Sequence, residues 1–203
     1  RAWGAADASL ILGSTLPHPL FPPVFSLDLR SFNLMSGLMT TVLGIVLLGV
    51  RRQLPRNIHG LLLWGLAPLV CAGATLFYGL EGMAPAMVVS IGGNGLLLAG
   101  CILYYAGSQR FYDESPSWRW WSGLALACLA TMQFFLLVVP DYRLRLACFA
   151  FSMAAIIAAH VRLLLRHRED GFAPRFTAAM LTMQVLVLVM RGIATFWIAA
   201  PDT

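Results

Sequence analysis

The sequence predicts an all-α membrane protein, a polytopic bundle of six transmembrane helices. Three observations carry this. Six continuous apolar runs, each long enough to cross a bilayer, fill nearly all of the 203 residues. Only 11% of positions are charged while 59% are hydrophobic, where a soluble domain carries about 25% charged residues. The basic residues, all arginine, gather mainly between alternate pairs of runs.

The N-terminal stretch 1–28 reads as an extracytoplasmic, Pro-rich segment. Its apolar part, Leu10–Phe25, is interrupted by Pro17, Pro19, Pro22 and Pro23, which remove helical hydrogen bonds and argue against a span. A lid or interfacial segment over the outer mouth fits better. A signal-sequence remnant would need a positive leader and a small-residue cleavage site, and neither is evident. A helical span needs about 20 residues, because the hydrocarbon layer is about 30 Å thick. The runs that meet this length are Leu29–Val50, Ile58–Leu80, Pro85–Gly107, Trp120–Val139, Arg143–Leu165 and Phe176–Ala200. They make up a six-helix transmembrane domain over 29–200, with 201–203 beginning an outer loop. None alternates with period two, so helices are expected rather than barrel strands.

Orientation follows from the connections. The first loop holds Arg51, Arg52 and Arg56; the third, Arg110 and Arg119; the fifth, Arg166, Arg168 and Arg175, with Arg162 just before it. The second loop, around Glu81, has none, while Arg143 and Arg145 after the short fourth turn run against the trend. The positive-inside rule places loops one, three and five in the cytoplasm and both termini outside. A seventh crossing after Thr203 is therefore expected if a cytoplasmic effector follows. Trp118, Trp120 and Trp121, at the cytoplasmic start of the fourth helix, read as an aromatic anchor.

Lipid tails are as apolar as leucine, so close approach over small residues must bring the helices together. Ser36, Thr40 and Gly44 recur every four residues on the first helix, and Ala150, Ala154 and Ala158 on the fifth. Ile91-Gly92-Gly93-Asn94-Gly95 lacks the lysine and the metal-binding acids of a phosphate loop. It reads as a close-packing stretch with Asn94 hydrogen-bonded across an interface, the alternative being a bend or small cavity.

Polar groups at membrane depth mark the candidate site. Arg191 lies nine residues before the end of the sixth run, about 13 Å along the axis. A charge there faces a partner or a water-filled cavity. Candidate counter-charges are Asp28, Glu81 and Asp141, and Gln184, two turns earlier, is placed to share its face. Two readings stand: an ion-pair or hydrogen-bond network locking helices together, or an anchor for an acidic or carbonyl-bearing ligand entering from outside. Asn33 and Gln133 are expected to bond across helices. His160 and His59 both sit at cytoplasmic helix ends, where interfacial solvation accounts for them, although the two could form a pair.

No cofactor is called for. The cysteines Cys71, Cys101, Cys128 and Cys148 fall in four different runs with no CxxC pair, reading as buried apolar thiols and not as a metal site. Without lysine, these residues cannot hold a retinal Schiff base. The formal charge of +5 is dispersed among spans, which argues against nucleic acid as a partner.

A family likeness appears at Leu27-Asp28-Leu29-Arg30-Ser31, Arg51-Arg52, Gly60-Leu61-Leu62-Leu63-Trp64, Asn94, Arg110-Phe111 and Arg162-Leu163-Leu164-Leu165-Arg166. Together, over residues 27–198, these resemble the N-terminal membrane sensor region of bacterial diguanylate cyclases, whose cytoplasmic GGDEF domain makes cyclic di-GMP from GTP. The resemblance implies an inner-membrane sensory domain, a homodimer, and a C-terminal cyclase lying beyond Thr203. No catalytic constellation is present in the chain itself. The expected function is regulation of such an effector, with the lipid bilayer and a small ligand or lipid in the outer half as partners. The runner-up is a small transporter or channel subunit, which would need charges on several helices or inverted repeats.

Overall fold

The computed structural model describes residues 29–54, 59–167 and 172–197. Six helices account for nearly all of them: α1 (Leu29–Gln53), α2 (Leu61–Gly79), α3 (Ala86–Phe111), α4 (Trp118–Leu137), α5 (Tyr142–Arg166) and α6 (Phe172–Trp197). Each is long and apolar enough to cross a membrane. The Pro-rich segment 1–28, Arg56, Arg168 and 201–203 lie outside the described residues. The helices differ from the expected runs mainly at the loop ends. α3 continues through Arg110 to Phe111, and α6 begins four residues before Phe176. Polar residues end an apolar run but do not end a helix while backbone hydrogen bonds and a bilayer interface remain available.

The exterior is apolar. Leu38 and Met39 of α1 and Met190 of α6 are each about two-thirds exposed, a surface that fits hydrocarbon rather than water. Inside, Leu98 and Ile102 of α3, Cys128 and Met132 of α4, and Met153 and Ile156 of α5 form the buried core. α3 packs on α2, α4 and α5, and α5 packs on α3, α4 and α6; α1 touches only α2, and α6 touches only α5. The first, third and fifth connections share one end of the bundle. His59 Nδ1 lies 3.4 Å from Asp113, and Glu114 lies 3.5 Å from both Arg166 and His167. That end is called here the arginine face. At the opposite end, Asp141 caps α5, its carboxylate accepting from the Arg143 and Leu144 amides.

Small residues set the helix contacts, in a register only partly expected. On α3, Gly93, Gly100 and Gly107 recur every seven residues and face Tyr78, Cys71 and Trp64 of α2, which recur every seven in the opposite direction. Each large side chain lies over the bare backbone of a glycine, and an added Cβ on Gly93 would stand 2.6 Å from the Tyr78 ring. On α1 the packing residues are Gly37 against Thr75 and Gly44 against Leu69. The expected Ser36-Thr40-Gly44 ridge is thus corrected to Gly37-Gly44. Ser36 is exposed and accepts a hydrogen bond from Thr40 through its carbonyl, and a seven-residue spacing keeps glycines on one antiparallel seam. On α5, Ala150 and Ala154 are buried but Ala158 is exposed.

Candidate functional site

Two separate polar clusters lie within the span, and the one nearer the arginine face borders a cavity. Its construction begins at Gly60, which precedes α2 with φ 91°, a conformation glycine adopts without steric cost. A side chain there would collide with the Gly107 carbonyl, so two glycines let α2 start directly against α3. Trp64, one turn into α2, lies against Gly107, and its Nε1 donates to Tyr104 O and Ser108 Oγ, both at 3.2 Å. Pro68 has no N–H to offer the Trp64 carbonyl, so the helical ladder is open at this residue.

Ser108 is buried and links three helices. Its Oγ is 2.7 Å from His160 Nε2 of α5 and 3.2 Å from the Tyr104 carbonyl of its own helix. One hydroxyl proton serves two acceptors. With the Nδ1–H tautomer of His160, Ser108 donates to the ring; with the Nε2–H tautomer, the ring donates and Ser108 turns to Tyr104. Tyr105 packs edge-on against both His160 and Trp121, at 5.9 and 5.5 Å between centroids.

The adjoining cavity of about 370 Å³ draws its walls from five helices, among them Leu47 of α1, Trp64, Ser108, His160, Leu164 and Pro174 of α6. Apolar walls with a few convergent hydrogen-bonding groups suit a small, mainly apolar molecule bearing one carbonyl or hydroxyl. Among the described residues no group of three His, Cys, Asp or Glu could hold a metal ion. His59 and His160 do not meet: His59 pairs with Asp113 and His160 with Ser108.

The second cluster ties α2, α3 and α4 toward the other end. Tyr78 donates to Asn94 Oδ1 at 2.9 Å, Asn94 Nδ2 donates to Ser90 O at 2.9 Å, and Gln133 Nε2 donates to Ser90 Oγ at 3.1 Å. Asn94 and Ser108 lie about 21 Å apart along α3, with the core of Leu98, Ile102, Met132, Met153 and Ile156 at the levels between.

Of the residues singled out by sequence, Asn94 therefore sits in a cross-helix network. Arg191 and Gln184 do not. Both are exposed on α6, which packs on α5 through Ala178, Gly192 and Thr195, and neither makes an ion pair or side-chain hydrogen bond among the described residues. Glu81 is exposed in the α2–α3 turn and Asp141 caps α5, so the expected counter-charges do not reach Arg191; Asp28 lies outside the described residues. Sequence reading missed the Trp64–Ser108–His160 cluster. Its one legible signal was the seven-residue recurrence of Gly93, Gly100 and Gly107. The cavity lies toward the arginine face, in the half opposite to the one expected to receive a ligand.

Comparison of the chain with family models, with curated proteins and with solved structures gave no match.

Proposed function

We propose that this chain is a membrane sensory domain that receives a small amphipathic molecule in the Trp64–Ser108–His160 cavity and passes the event to a cytoplasmic effector. The observation that carries it is the cavity's position. It is walled by α1 and by α6, two helices that touch no common neighbour and not one another. A ligand there bridges two helices that each pack on a different neighbour, and its preference for one arrangement supplies the differential affinity that a switch requires. On the resemblance to diguanylate cyclase membrane regions, the effector is a GGDEF cyclase. The arginine face is then cytoplasmic, the termini outside, the membrane the bacterial inner one and the working unit a dimer.

The apolar levels that separate the two polar clusters favour this over transport, since a substrate path needs polar groups through the full depth. The test is cyclic di-GMP output from cells expressing the whole gene product, with Ser108→Ala and His160→Leu beside the wild type. A changed output with unchanged protein level supports the reading. Wild-type output from both variants, or solute flux through the purified chain in liposomes, refutes it.

A further inference from the structure

We infer that a second cavity, at the arginine face, is a binding site for a phosphate monoanion or diester, its most fitting source the headgroup of an anionic lipid. The cavity, about 1030 Å³, is separate from the one at His160 and lies between the end of α1, the start of α2 and the α3–α4 connection. Arg51 and Arg52 of α1 and Arg110 of α3 line it, together with Leu48, Leu61 and Leu62. Arginines from two helices therefore line one cavity that also has leucines in its wall, the combination that a phosphodiester carrying acyl chains requires.

The acids at the same cavity, Asp113 and Glu114, are outnumbered by the three arginines. Asp113 lies against His59 at 3.4 Å, and Glu114 is held between Arg166 and His167, 3.5 Å from each. Arg51, Arg52 and Arg110 make no ion pair among the described residues. The loop that carries these acids is itself fixed: the buried Gln109 amide accepts from the Ser117 N–H at 3.1 Å and donates to Ser117 Oγ at 3.0 Å. Each carboxylate thus has a neighbour other than Arg51, Arg52 and Arg110, whose guanidinium groups can receive an external anion.

The test is native mass spectrometry of the full chain in neutral detergent, titrated with phosphatidylglycerol, phosphatidylcholine or inorganic phosphate. One-to-one binding of phosphatidylglycerol is expected. Arg51→Gln with Arg110→Gln should weaken it about thirty-fold, two charge contacts being removed. Arg119→Gln with Arg162→Gln, which removes the same charge from the same face but away from the cavity, should weaken it less than three-fold. Inorganic phosphate that binds at the same site and displaces the lipid would identify a free phosphate as the source; phosphate without effect would identify the headgroup. Equal weakening by both double variants, or equally tight binding of phosphatidylcholine, overturns the proposal. Should the first double variant lose its helical circular dichroism, Arg110→Gln alone must weaken binding about five-fold, and wild-type affinity there equally overturns it.

Discussion

Adding one methyl group at Gly107 tests how the site is assembled. The new Cβ would stand 2.5 Å from Trp64 Cδ1, 2.8 Å from its Nε1 and 3.2 Å from the Gly60 carbonyl. Two of these neighbours belong to a rigid ring and the third to backbone, so none can move aside alone. α2 must retreat from α3, or the indole must turn and lose its bonds to Tyr104 O and Ser108 Oγ. Overpacking of this kind costs about 1–3 kcal/mol, and a lost intramembrane hydrogen bond adds about 0.6 kcal/mol. Alanine's better helix preference returns about 0.5–1 kcal/mol, so Gly107→Ala should destabilise by about 1–3 kcal/mol. Gly123→Ala is the control: nothing lies within 4 Å of its Cβ position, and alanine should gain about 0.5–1 kcal/mol in a helix. Reversible unfolding in mixed micelles, followed by far-ultraviolet circular dichroism and tryptophan emission, measures both. If Gly107→Ala is as stable as Gly123→Ala, the glycine-mediated contact of α2 with α3 is not what builds the site.

Other expectations are checked in the same assay. Gly60→Ala combines a positive φ with a collision at the Gly107 carbonyl and should cost more than Gly107→Ala, through strain of about 1–3 kcal/mol beyond the clash. Tyr78→Phe removes one bond to Asn94 and should cost about 0.6–2 kcal/mol; Asn94→Leu, which also strands the Tyr78 hydroxyl, should cost more. Arg191→Leu should leave the isolated chain at least as stable, because its side chain is exposed on α6 without an ion-pair partner among the described residues and a charge at membrane depth is unfavourable. A loss above about 1 kcal/mol would show that Arg191 finds a partner in the membrane.

The candidate site was legible in fragments. Asn94 stood out because an amide inside an apolar run must find a partner, and the structure supplies Tyr78. Arg191 stood out for the same reason, yet α6 packs on a single neighbour through Ala178, Gly192 and Thr195, and the arginine points elsewhere. Ser108 gave no signal, since a serine near a helix end is ordinary. His160 lies near the end of its own apolar run, and only the neighbouring α3 brings Ser108 within 2.7 Å of its ring.

Length, apolarity and the sparse charges by themselves determined that the chain forms six membrane-length helices, because in hydrocarbon each backbone must satisfy its own hydrogen bonds within the segment. Six consecutive crossings by themselves determined that the first, third and fifth connections lie together at one end. Which helices touch was decided only in three dimensions. Between apolar helices there is no hydrophobic drive to choose a partner, so the choice falls to where bare glycine backbone meets a bulky side chain. That fit placed Trp64 on Gly107 and brought Ser108 and His160 to one cavity wall.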